Sequence, residues 1–207
     1  MEQRINQKEE APLQYYLSRY ADLDPAEAAG RLGRCFDGSA FTLTFLAQTY
    51  RIAWPVYAIE PEPPLTVQTF LLRYLVEGKN LPAGGWKTFR EMPWGEVYVE
   101  PFTGRCLRRC AFTFGGRLDG FCKGCQALGG TAISGADAAY EIPMVDDYRI
   151  RILLWQADEE FGPSAQILYS DNFAVGFTAE DRVVAADLLL NAVRAKMSWQ
   201  LSPEMIS

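Results

Sequence analysis

The chain has 207 residues, of which 49% are apolar and 13% aromatic, enough for the hydrophobic core of one large or two small domains. Its net charge of −6 argues against nucleic acid or an anionic membrane as the main partner. The absence of histidine excludes Ser-His-Asp and Cys-His catalytic arrangements and all imidazole metal ligands, so a bound metal would need thiolates or carboxylates.

The sequence predicts a soluble, cytoplasmic protein. No stretch approaches the roughly 18 uninterrupted apolar residues of a membrane-spanning helix, and the first residues lack the apolar block of a secretory signal. Five cysteines cannot all pair internally, so reduced thiols in a reducing compartment are the simpler expectation.

In the N-terminal half, residues typical of helix ends, strands and turns predict two helices and a hairpin. Asp24 followed by Pro25 is typical of a capped helix start, and glycine ends that helix. Residues 41–56 contain two runs rich in β-branched and aromatic residues with a very short connection, which predicts a β-hairpin. After a proline-rich loop, we expect Thr66 to cap a helix over residues 67–79.

The C-terminal third repeats this order of elements. Residues 148–156 and 164–170 are predicted to be antiparallel strands joined by a charged turn. Thr178 and Asp181 have the spacing of a capping box, which predicts a helix over residues 179–196.

Hairpins followed by helices favour an α+β fold, with antiparallel β-hairpins packed against helices in a single domain. The two strand-strand-helix units, near residues 41–78 and 148–196, suggest a duplicated architecture, although no residue-level identity links them. We expect a flexible N-terminal segment over 1–11, one domain over 12–197 and a loose tail over 198–207.

Four of the five cysteines lie within residues 104–125, the only clearly cationic part of the chain. The segment has five basic residues and one acidic residue, a net charge of +4 that leaves −10 for the remainder. These cysteines are Cys106, Cys110, Cys122 and Cys125. Spacings of four and three residues put each pair on one face of a helix, and the glycine-rich residues 115–120 predict a bend that folds the pairs together.

Three interpretations of these thiols remain open from the sequence. Four thiolates meeting tetrahedrally would hold a structural zinc ion or an iron-sulfur cluster, and the nearby basic residues would favour ionised sulfurs. Alternatively, the cysteines are small apolar residues in the core of a reduced protein. The third interpretation is a dithiol redox pair in CKGC, where Lys123 would lower a thiol pKa. Cys35 is predicted to be a core or helix-end residue.

Carboxylates form a second candidate site. Asp158, Glu159 and Glu160 are consecutive in the turn between the two C-terminal strands, and Asp171 follows the second strand. Clustered carboxylates can supply acid-base chemistry or bind a hard cation. The competing interpretation is an ordinary turn whose charges face water.

Aromatic residues give a weaker signal. Trp86, Trp94, Trp155, Tyr98 and Tyr140 are candidates to line a hydrophobic groove for a flat ligand. The competing interpretation is that they belong to the core, because no spacing among them marks a cofactor site.

Four stretches carry a resemblance to a known family. They are FLLRYLVEG, GGWKTFREMP, LGGTAISGADAAYEIP and ILLWQADEEFGPSAQILYSDNFAVGFTAED. Together they resemble the bacterial and archaeal domain of unknown function numbered 3786, over roughly residues 36–195. The family pattern has a strand, an acidic turn, a strand and a helix start with Glu-Asp; here Gly162 is inserted before the proline of the turn.

The resemblance implies a protein common in anaerobes, with relatives joined to iron-sulfur domains and no assigned activity. Because the chain has no histidine, no phosphate-binding loop and no nucleophile with its base, we expect a binding or accessory protein of anaerobic metabolism rather than an enzyme. Its partner would be another protein or a small molecule. The alternatives are a four-cysteine metal or electron-transfer protein and, less favoured, an enzyme built on the acidic turn.

Overall fold

An antiparallel sheet forms the centre of the structure, a computed structural model that describes residues 7–34 and 36–198. Its strands are β1 (Ala40–Phe45), β2 (Gln48–Ala53), β3 (Ala58–Glu60), β4 (Trp86–Thr88), β5 (Thr131–Ala132), β6 (Ala138–Val145), β7 (Tyr148–Trp155) and β8 (Ser164–Ser170). Their order across the sheet is β3-β2-β1-β6-β7-β8-β4, and β5 pairs with β6. All these pairs are antiparallel, which confirms the α+β prediction.

The helices gather on one side of this sheet. They are α1 (Gln7–Ala21), α2 (Pro25–Leu32), α3 (Leu65–Glu77), α4 (Gly95–Phe102), a π-helical segment (Thr103–Arg108), α5 (Arg109–Phe114), α6 (Leu118–Ala127), α7 (Phe173–Gly176) and α8 (Ala179–Ser198). Helices α5 and α6 lie against β6, β7 and β8, while α8 packs across α6 and the π-helical segment. No helix in the described part of the chain is long and apolar enough to cross a membrane.

Strand β7 shows how the sheet separates its two faces. Its alternate residues Tyr148, Ile150, Ile152 and Leu154 are fully buried. The residues between them, beginning with Arg149 and Arg151, are exposed or half-buried. Because side chains alternate along a strand, the fully buried set meets the helices, and the set that contains Arg149 and Arg151 lies on the open face of the sheet.

The predicted caps of two helices are confirmed. The Asp24 carboxylate accepts hydrogen bonds from the first backbone N–H groups of α2, at 2.8 and 3.1 Å. At the start of α8, the Thr178 N–H donates to Asp181 at 3.0 Å, and the Asp181 N–H donates to the Thr178 hydroxyl at 3.3 Å. The predicted cap of α3 is wrong, because Pro64 holds the N-cap position and Thr66 lies within the first turn.

Strand β6 had no counterpart among the predicted elements. Ala138, Ala139 and Tyr140 are all buried, so its first half lacks the alternation that marks a half-exposed strand. Pro143, which cannot donate a backbone hydrogen bond, precedes an irregularity in the pairing with β7. The strand is nonetheless central, because it joins the N-terminal hairpin to the C-terminal one.

The predicted terminal segments fall largely outside the described residues. Of residues 1–11, the structure describes only those from Gln7, which begin helix α1. Of residues 198–207, it describes only Ser198, the last residue of α8. Cys35 also lies outside the described residues, so its predicted placement stays a prediction, as do the domain limits.

A two-residue turn joins β1 to β2. Leu46 and Ala47 have φ values of 48° and 63°, and the flanking Phe45 and Gln48 are paired. Both central residues of a type I′ turn need positive φ, for which Asn-Gly is the usual sequence. Leu46 is nevertheless buried, and its N–H donates to the Met144 carbonyl at 3.0 Å.

Replacing Ala47 with glycine should raise the free energy of unfolding by about 1 kcal/mol, because glycine adopts positive φ without the steric cost of a β-carbon. The control is Ala58→Gly, at an exposed position of strand β3, which should lower the free energy of unfolding by about 0.5–1 kcal/mol. Urea unfolding of the three proteins measures both changes. Destabilisation by both substitutions would contradict the role assigned to the turn.

Candidate ligand-binding cleft

The four predicted cysteine ligands lie on the helices that cover the sheet. Cys106, in the π-helical segment, Cys110 in α5 and Cys125 in α6 are fully buried, and Cys122 in α6 is half-buried. Burial raises the pKa of Cys106 and of Cys110 to about 12, and it also raises the pKa of Cys125. The Cys106 thiol lies 3.7 Å from the Val183 carbonyl, to which it donates. Cys106, Cys110 and Cys125 are therefore protonated in the folded protein at neutral pH.

Two of the five basic residues in this segment, residues 104–125, pair with an acidic residue of α8. Arg105 and Arg109 each form an ion pair with Asp187 of α8, at 2.9 and 2.8 Å. Both arginines lower the pKa of Cys106, but desolvation has the larger effect and raises it. These two arginines therefore link the segment to α8 and do not ionise the Cys106 sulfur.

The metal-site interpretation gains no support from this arrangement. In the part of the chain that the structure describes, no group of three or more Cys, Asp or Glu side chains is placed to hold a metal ion. The packing instead favours the interpretation of the cysteines as small apolar residues of the core. Zinc and an iron-sulfur cluster therefore remain predictions without structural support.

Close helix packing explains the glycines around the second cysteine pair. A β-carbon on Gly124 would lie 2.7 Å from the Val193 carbonyl oxygen of α8, and one on Gly120 would lie 2.8 Å from Met197. Helices α6 and α8 therefore approach along a face on which α6 has no side chain. The sequence CKGC reflects this contact, and Gly124 is a packing residue between two cysteines.

The acidic turn is a solvent-exposed turn that Asp158 itself stabilises. The Asp158 carboxylate accepts hydrogen bonds from the N–H groups of Phe161, at 2.7 Å, and Glu160, at 2.9 Å. These bonds lower the pKa of Asp158. Asp158 and Glu160 are exposed, and the seven-residue strand β8, about 20 Å long, separates them from Asp171. The three carboxylates therefore do not form one site.

Asp171 has a different role, at the end of β8. Its carboxylate accepts a hydrogen bond from the Gly84 N–H at 2.9 Å, and this bond is the largest influence lowering the pKa of Asp171. The Asp171 N–H in turn donates to the Gly85 carbonyl at 3.0 Å. These reciprocal bonds fix the loop over residues 82–85, which precedes Trp86 in β4.

This loop borders a cleft of about 480 Å³ on the open face of the sheet. Its floor is formed by side chains of four strands, β4, β6, β7 and β8, and its rim by the glycine loop and the β6–β7 turn. The lining residues are Pro82, Ala83, Gly84, Gly85, Trp86, Glu141, Asp147, Arg149, Arg151 and Ser170.

Two arginines and one glutamate form the centre of the cleft. Arg149 and Arg151 extend from the same face of β7, and Glu141 lies opposite Arg151 on β6. Nη1 of Arg149 donates to Oε1 of Glu141 at 3.0 Å, while Nε and Nη2 of Arg151 donate to Oε2 at 3.0 and 2.9 Å. Burial raises the pKa of Glu141, but the arginines outweigh it, and the pKa is lowered. The three groups together carry a charge of +1.

Trp86 completes the support of Arg151. The guanidinium carbon of Arg151 lies 3.9 Å from the centroid of the Trp86 ring, which is close cation–π stacking. Arg151 is thus fixed by a carboxylate on one strand and an aromatic ring on another. Of the five aromatic residues predicted to line a groove, the structure brings only Trp86 to this cleft. Tyr140 is buried on the opposite face and Trp94 is exposed.

Buried hydrogen bonds hold the end of the cleft. The Ser170 hydroxyl accepts from the Arg149 N–H at 3.0 Å and donates to the Asn172 side chain at 2.6 Å. Asn172 donates to the carbonyls of Leu81, at 2.8 Å, and Asp147, at 3.3 Å. A single buried amide therefore ties the loop before Trp86 to the turn before Arg149.

One protein family has a sequence profile that matches residues 24–192, and it is described as Domain of unknown function (DUF3786). The chain belongs to this family. The resemblance drawn from its sequence motifs is therefore confirmed. The chain has no match among curated proteins or solved structures.

In this DUF3786 protein, replacing Gly124 with alanine should lower the free energy of unfolding by about 1–3 kcal/mol, because the new β-carbon overlaps the backbone of α8. The matched control is Gly104→Ala, where a β-carbon meets nothing within 4 Å and should be neutral or stabilise by about 0.5–1 kcal/mol. Denaturant titrations compare the variants. Equal effects at both glycines would contradict the proposed helix contact.

A second prediction concerns the accessibility of the thiols. In a Cys35→Ser background at pH 8, iodoacetamide should modify Cys122 first, because Cys106 and Cys110 are fully buried and have a pKa of about 12. Intact-mass and peptide spectrometry should show all four described cysteines modified only after unfolding in urea. Rapid labelling of Cys106 or Cys110 in the native protein would contradict the assignment of these thiols to the core.

Proposed function

We propose that this protein binds a small anionic metabolite, one with a carboxylate or phosphoryl group, in the cleft formed by Arg149, Arg151, Glu141 and Trp86. The observation that supports the proposal is the pair of guanidinium groups held side by side by one carboxylate. Nη2 of Arg149 and Nη1 of Arg151 make no hydrogen bond to any described residue. They are donors for which an anion supplies the acceptors.

The cleft is suited in size and rigidity to such a ligand. Its volume of about 480 Å³ lies within the range of roughly 300–1,000 Å³ for small-molecule sites. Arg151 is already oriented by Glu141 and Trp86, so little of its side-chain freedom is lost on binding. The exposed Asp147 at the rim restricts the anionic group to the arginine end.

Binding without chemistry is the role that the described residues support best. The acidic turn is exposed, and its Asp158 carboxylate is engaged by backbone N–H groups of the turn, while the buried Cys106 and Cys110 thiols are protonated at neutral pH. We therefore favour a binding or accessory protein over an enzyme or a metal protein. Its place in anaerobic metabolism is part of the proposal and is based on the family resemblance alone.

Calorimetric titration of the full chain at low ionic strength tests the proposal, with succinate as the carboxylate probe and inorganic phosphate as the phosphoryl probe. We expect saturable binding of at least one probe and quenching or enhancement of Trp86 fluorescence. Arg149→Gln should weaken binding by about tenfold or more, because it removes a charged hydrogen-bond donor. Arg149 is the better target, since Arg151 also supports Trp86.

Arg51→Gln is the matched control. Arg51 lies on the same open face, on strand β2, and is exposed, but it pairs with Asp37 outside the cleft. This variant should bind the anion as the wild type does. Failure of both probes to bind, or equal losses in the two variants, would show that the proposal is wrong.

A further inference from the structure

A second cleft, of about 500 Å³, lies on the helix-covered side of the sheet, away from the arginines. It is bounded by the β1–β2 turn, the start of α3, the end of α6 and the C-terminal half of α8. The larger apolar residues on its walls are Phe45, Leu46, Tyr50, Val67, Leu128 and Leu188. Most of the area exposed in the cleft is therefore apolar.

Small side chains keep this cleft open. Ala127 is the last residue of α6, and Ala192 and Ala195 lie on the part of α8 that faces it. Ala127 and Ala195 are exposed and Ala192 is half-buried, so these positions face open space between well-packed walls. Three larger residues here would close the gap between the helices and the hairpin.

The β1–β2 turn forms one wall at a conformational cost. Leu46 and Ala47 both have positive φ, although neither is glycine or asparagine, and both line the cleft. Such backbone strain persists where the surrounding structure requires it, and it concentrates at ligand sites. The turn contributes the largely buried Leu46 to the cleft, which Tyr50 of β2 also lines.

Among the described residues that line the cleft, Lys196 alone is charged. It is exposed, and it forms no ion pair with a described residue, in contrast to the paired Arg105 and Arg109 on the neighbouring helical segment. Asn191 also lines the cleft, and its amide oxygen accepts a hydrogen bond from Arg109 at 3.4 Å. An apolar cleft whose one charged described residue, Lys196, forms no ion pair with another described residue matches a molecule with an apolar body and one anionic end.

We propose that this cleft binds an amphipathic monocarboxylate, with its aliphatic body against the walls and its carboxylate near Lys196. The site is separate from the arginine cleft, since the two lie on opposite sides of the sheet. A failure at one site therefore does not affect the conclusion about the other. The apolar walls exclude the small, fully polar anions proposed for the arginine cleft.

Equilibrium titration of the full chain with octanoate and with the uncharged 1-octanol tests this proposal. We expect octanoate to bind saturably and more tightly than octanol. Ala195→Phe, at an exposed position that tolerates a larger residue, should weaken both ligands by about tenfold or more, because the ring occupies the cleft. Lys196→Gln should weaken octanoate by about fivefold and leave octanol unchanged.

Lys123→Gln is the matched control, because Lys123 is an exposed lysine of α6 that does not line the cleft. It should bind both ligands as the wild type does. Absence of octanoate binding, or binding that Ala195→Phe leaves unchanged, would overturn the proposal. A concentration-dependent dimer in sedimentation experiments that Ala195→Phe dissolves would also overturn it, since a second copy of the chain would then occupy the cleft.

Discussion

Covering the sheet with helices on one face only is the constraint on which the remaining structure depends. Along β7, Ile150 and Ile152 meet the helices, so Arg149 and Arg151 must both lie on the open face. Residues two positions apart on one face are separated by about 7 Å, which brings both guanidinium groups within reach of a single carboxylate. A shift of one residue in the pairing register of β7 would turn both arginines toward the core. Burial of the apolar residues of β7 therefore fixes the geometry of the cleft.

Residues of the helical layer also position the cleft, because they hold the β6–β7 turn. Asp146 adopts a positive φ of 51° in this turn, and its side chain is almost fully buried. It pairs with Arg34, which follows α2, and accepts a hydrogen bond from the Tyr74 hydroxyl of α3 at 2.5 Å. Loss of one partner of a buried carboxylate in such a network strongly destabilises the folded protein. The turn that leads into Arg149 is therefore held by residues from the opposite side of the sheet.

The sequence predicts those parts of the fold whose signals are local. Hairpin β7–β8 and the capped starts of α2 and α8 are specified by residues within a few positions of each other. The alternation in YRIRILLWQ already places Arg149 and Arg151 on one face, but Glu141, which holds them, lies on β6, a strand without clear alternation. Asp171 stands out in the sequence as a carboxylate after a strand, but its hydrogen-bond partner Gly84 lies 87 residues away. Pairings over such distances could not be predicted from spacing.

In the cysteine-rich segment, local charge along the sequence likewise does not predict which residues the basic side chains contact. Its excess of +4 stands out against an acidic chain, and it would ordinarily indicate an anion site or activated thiols. In the structure, Arg105 and Arg109 meet Asp187, so the excess is partly neutralised within the chain. On β7, by contrast, Arg149 and Arg151 share the single carboxylate of Glu141, so one positive charge remains in the cleft. Part of the local charge excess therefore serves a contact between helices. The candidate anion site arises instead from the pairing of strands, which the distribution of charge along the sequence does not show.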